Sequence, residues 1–118
     1  MERKTRLRIY LMLVEYTSIP IAVGLYLMFL SGYGLVTVKA SILTLGFMDR
    51  ARSILIHTTT HLKYFIGVLV ALHALGGFGM MILRRVRDEL VSKILESISL
   101  ILIMAFMIQI TILEFMPF

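Results

Sequence analysis

The chain contains no cysteine. That excludes disulfides, thiolate haem ligands, c-type haem attachment and cysteine-bound iron–sulfur clusters. Asparagine is also absent, and glutamine occurs once, at Gln109. Charge is scarce: 16% of residues are Asp, Glu, Lys or Arg, against about 25% in an average soluble domain. What fills the space is apolar, 59% of 118 residues. This balance indicates an integral membrane protein before any motif is read. At this length there is room for one transmembrane domain, residues 1–118, and none for a separate soluble head. The net charge is +5, but the basic residues gather at the ends of the apolar runs. They therefore indicate topology, and no nucleic-acid partner is expected.

Three runs are long enough to cross a bilayer, which takes about 20 residues as a helix. The spacing predicts helices over about 9–30, 54–84 and 94–115. The expected fold is all-α, an integral membrane three-helix bundle. Arg3, Lys4, Arg6 and Arg8 precede the first run, and Arg84, Arg85, Arg87 and Lys93 lie between the second and third. Under the positive-inside rule this puts the N-terminus in the cytoplasm and the C-terminus outside, in a multi-pass protein of the cell membrane. The first run is too long for a signal-peptide core and no small-x-small cleavage pattern follows it, so it is expected to stay as an anchor.

The connection 31–53 opens on Ser-Gly-Tyr-Gly at 31–34, which is turn chemistry. Its apolar piece, 40–47, is too short to span and is expected as a small surface helix or cap. Pro20 falls inside the first helix and is expected to bend it.

The polar residues inside these runs carry whatever chemistry there is. His73 lies near the middle of the second span, where an imidazole without a partner is costly. A neutral imidazole offers one lone pair, which a haem iron takes as an axial ligand while the other nitrogen donates to a neighbour. Gly76 and Gly77 lack side chains, and Gly77 shares the face of His73, so a flat macrocycle or another helix can approach there. The expected cofactor is haem b, with His73 as the iron ligand. The architectural alternative is a histidine bonded to a neighbouring helix, with glycines serving close packing.

No histidine or cysteine occurs in the first or third span, so a second axial ligand has to come from a methionine, another chain or a second copy. His57 and His61, at spacing i, i+4, are expected to share a face on the outer extension of the second helix. They are alternative haem or metal ligands, or simply polar interface residues. Glu15 and Glu96 are intramembrane carboxylates, functional candidates unless paired with Arg84 or Arg85 at the same depth. Glu15, Tyr16 and Ser18 together can form the polar end of a quinone or proton site.

The stretch His73-Ala-Leu-Gly-Gly77, in the second of three spans, resembles the haem-binding helix of succinate dehydrogenase and fumarate reductase membrane-anchor subunits. The resemblance implies a b-type haem held between two anchor chains, with His73 as ligand and Gly77 as the close-approach glycine. It also implies a nearby quinone site and docked peripheral electron-transfer subunits. The run from His57 to His73 is equally similar to small cytochrome b modules of hydrogenases and other membrane oxidoreductases. The expected function is a membrane-anchor subunit of a respiratory oxidoreductase complex, passing electrons to or from quinone. The alternatives are a cofactor-free accessory subunit of a larger membrane assembly, and a proton- or metal-handling protein using His57, His61 and Glu15.

Overall fold

The structure, a computed structural model, describes residues 2–116, and for Thr60 the backbone only. Met1, which opens the basic N-terminal stretch, lies outside the described residues. All described elements are helical: α1 (Arg3–Val36), α2 (Lys39–Leu43), α3 (Arg50–Thr58), α4 (Thr60–Arg85) and α5 (Glu89–Phe115). Helices α1, α4 and α5 are long and apolar enough to cross a membrane. Their large apolar side chains are mostly exposed, Ile19, Leu25, Phe29, Ile101 and Leu113 among them. A protein with so little core of its own belongs in lipid, which satisfies that surface while the helices satisfy their own backbones.

The three spans do not close into a bundle. They stand in a row with α4 in the middle, packed on α1 along one side and on α5 along the other. The molecule measures 54 × 35 × 18 Å. Burial agrees: 28% of the most apolar stretch of α4 is covered, against 11% for α1 and 6% for α5.

Helix α1 runs through Ser31, Gly32 and Gly34, where turn chemistry was expected, and ends only at Thr37, whose N–H reaches Tyr33 O at 2.9 Å. The small residues serve packing instead. A Cβ at Gly34 would overlap Ser53 of α3, and one at Gly32 would sit 3.4 Å from the His57 ring. The true turn comes later, at Leu45 and Gly46, both with positive φ (56° and 87°). Met48, fully buried, folds back beneath it, and Asp49 caps α3 by accepting from Arg52 N at 2.8 Å. The expected small surface helix is present as α2.

The second expected helix, 54–84, is broken in two. Thr59 takes an extended conformation between α3 and α4. The cause is local. Thr58 Oγ1 donates to Ile54 O at 2.6 Å and Thr59 Oγ1 to Leu55 O, bonds that compete with the helix ladder in a β-branched run. Freed by this break, α3 packs on α1 rather than extending α4.

Candidate functional site

The face of α1 that meets α4 and α3 carries Thr17, Ile21, Gly24, Ser31 and Gly34, all buried. Two of these hold histidines. Thr17 Oγ1 donates to Leu13 O at 2.5 Å and lies 3.0 Å from His73 Nδ1. A hydroxyl has one proton, and Leu13 takes it, so Thr17 accepts from Nδ1–H. The tautomer assigned by this network leaves His73 Nε2 with its lone pair. The same device recurs at the other end of α1. Ser31 Oγ lies 3.0 Å from both Met28 O and His57 Nδ1. Thr17 and Ser31 are fourteen residues apart, roughly 21 Å along the helix and nearly on one face. His73 and His57 are each half-buried.

The glycines beside His73 divide by direction. Gly76 and Gly79 are buried against α1: a Cβ at Gly76 would meet Tyr10 O at 2.7 Å, and one at Gly79 would meet the Tyr10 ring at 2.5 Å. They serve small-residue helix packing. Gly77 faces open space, with nothing near the place a Cβ would take. It lines a cavity of about 300 Å³ with Val14, Met80, Met81, Arg84 and Arg85. Its floor is apolar and its rim carries two guanidiniums, and His73 lies one turn from Gly77, outside the lining. A mid-span imidazole is a ligand type that suits haem iron, while the cavity beside Gly77 does not include it.

His57 and His61 do not share a face, because the break at Thr59 lies between them. His57 ends α3 over Gly32, and His61, exposed, opens α4. Glu15, Tyr16 and Ser18 all lie exposed, Tyr16 at 73%, because the helix–helix face of α1 falls at Thr17 and Ile21. Ser18 Oγ turns back to Val14 O at 2.5 Å. Any site these three form is on the outer surface of the row.

Glu96 does not pair with Arg84 or Arg85. It is buried, accepts from Tyr10 Oη at 2.6 Å and pairs with Arg6 Nε at 3.2 Å, both from α1. Arg6 and Arg3 also hold Glu89, at 2.5 and 2.9 Å, and Arg3 donates to Leu83 O at 2.6 Å and to Val86 O. The flat surface of Gly76 and Gly79 lets Tyr10 reach across α4 to α5. Lys63 meets Glu114 at 3.5 Å.

No family model, curated protein or solved structure matches this chain.

The roles of Thr17, Ser31, Arg6 and Tyr10 were not assigned from the sequence. For the first two a signal exists: small residues recur at 17, 24, 31 and 34, a one-sided pattern at helical spacing. For Arg6 and Tyr10 none does, since their partner lies 86 or more residues away. Among the described residues no group of three His, Cys, Asp or Glu side chains comes together to hold a metal ion.

Proposed function

We propose that this chain is a haem-b-bearing membrane-anchor subunit of a respiratory oxidoreductase complex. One observation carries the reading: His73 lies mid-span with Nδ1 engaged by Thr17 and the Nε2 lone pair free. The Thr17 bond would fix the ring plane and raise the basicity of the ligating nitrogen. Gly77 would allow close approach, and Arg84 and Arg85 would pair with carboxylates at the rim. When bound, the haem supplies one-electron transfer; the chain supplies ligand, wall and docking surface.

The row is one helix thick, so the second wall and second ligand are assigned to a second anchor chain or a copy of this one. Electrons would enter from a peripheral subunit and leave to quinone, or the reverse. A quinone contact by Glu15, Tyr16 and Ser18 would be made at the outer surface, against another chain. Eight of the twelve Lys and Arg residues lie at the end holding the N-terminus and the α4–α5 connection, which supports a cytoplasmic N-terminus.

The test is a reduced-minus-oxidised visible spectrum of the chain purified with its partners from haem-replete cells. An α band and a Soret shift are expected, and His73→Ala should abolish both while the complex still assembles. A preparation without the band overturns the haem reading. The cofactor-free accessory reading then stands, and it too has an observation behind it: Gly76 and Gly79 are fully used in packing α1.

A further inference from the structure

Glu96 is 9% exposed, and its two oxygens are treated unequally. Oε1 takes both the Tyr10 hydroxyl and the Arg6 Nε. Oε2 is buried with no hydrogen-bond donor. A buried carboxylate oxygen left without a donor is costly, and such an atom asks for a ligand. Glu96 lines an open groove of about 390 Å³ between α1 and α5, with Arg6 and Tyr10, already bound to Oε1, on one side and Lys93, Leu75, Ser97 and Leu100 on the other walls.

Lys93 lies one turn before Glu96 on the same face of α5, exposed. Among the described residues it forms no ion pair. The groove therefore presents a cation without an anion, a carboxylate oxygen without a donor, and leucine between them. Lys93 and Glu96 are about 4.5 Å apart in helical rise, so one headgroup can reach both side chains. The complement is a zwitterion with an N–H donor on an apolar body. The groove is at the charged end of the row, where headgroups lie.

We propose that this groove binds phosphatidylethanolamine, with the ammonium donating to Glu96 Oε2, the phosphate at Lys93 and the acyl chains along Leu75 and Leu100. The ammonium distinguishes this lipid from phosphatidylcholine, which has the same phosphate and no N–H to give. It also distinguishes it from phosphatidylglycerol, which has no cation.

The experiment is thermal unfolding of the full detergent-solubilised chain, titrated with each lipid in mixed micelles. The midpoint shift against lipid concentration gives the affinity. Binding of phosphatidylethanolamine roughly tenfold tighter than phosphatidylcholine is expected, the value of one charge-assisted hydrogen bond. Glu96→Gln should erase that preference, and Lys93→Gln should weaken both lipids alike. Both comparisons are made between lipids on one variant, so a change in its intrinsic stability cancels. Should Glu96→Gln fail to fold, Lys93→Gln, at an exposed position, carries the test. Equal affinity for the two lipids, a preference that survives Glu96→Gln, or indifference to Lys93→Gln overturns the proposal.

Discussion

The two ends of the helix row are held by different physics. At the end with the N-terminus, all three spans are tied by polar contacts. Arg3 reaches the last carbonyls of α4, Arg3 and Arg6 share Glu89, and Arg6 and Tyr10 converge on Glu96. At the far end the contacts are pairwise, and those of α1 are largely steric. Gly34 and Gly32 admit Ser53 and His57, and Gly24 admits Ile66. Helix α5 is met there through Tyr64, which bonds Thr111 at 2.9 Å and stacks edge-on against Phe115, and through Lys63–Glu114. Charged groups near a lipid phase have few alternatives to one another, so they fasten strongly. Small-residue contacts gain only dispersion, and they depend on the absence of a side chain. The row is therefore clasped at one end and merely fitted at the other.

This contrast can be broken from the strong side first. Arg6→Ala removes the cation from a carboxylate that stays buried, and a loss of about 3 kcal/mol is expected. Reversible unfolding in a mild-detergent-to-SDS titration measures it, and a loss under about 1 kcal/mol would mean the clasp is ornamental. Gly34→Val tests the fitted end: its Cβ would overlap Ser53, so α3 has to move, at about 2 kcal/mol. The same titration reads it, with a cysteine-free background that permits spin labels on α3 to report the displacement.

Tyr10→Phe keeps the ring on Gly79 and deletes only the hydroxyl on Glu96, for about 1.5 kcal/mol. A loss as large as that of Arg6→Ala would shift the weight of the clasp from charge to the tyrosine. Lys63→Met should be nearly silent, within about 0.5 kcal/mol, because the Lys63 side chain is 37% exposed and the pair sits at 3.5 Å. A larger cost would show that the far end is clasped as well.

How much of this was legible beforehand depends on the range of the interaction. The three spans were readable because a long apolar run is a local property. The helix ends were less so. Ser31-Gly32-Tyr33-Gly34 reads as a turn by composition, and what makes it helical is the arrival of Ser53 and His57 at those positions. The continuous second helix failed for a reason present in the sequence, a threonine run, whose strength depends on bonds back to Ile54 and Leu55. At the candidate site, His73 stood out as a mid-span imidazole, and its partner Thr17 did not. Glu96 stood out as an intramembrane carboxylate, but charge alone suggested the nearby arginines over a distant one.

The sequence by itself determined three membrane-length helices, an excess of basic charge at one end, and one mid-span imidazole with no second nitrogen ligand on α1 or α5. Each of these follows from residue identity and run length alone. Only the tertiary structure decided that the helices form a row, that Thr17 and Ser31 stand beside the Nδ1 atoms of His73 and His57, and that Tyr10 crosses α4 to reach Glu96. Those pairs are separated by 56, 26 and 86 residues. They depend on helix register and on where glycines leave the surface flat, and no local pattern carries that information.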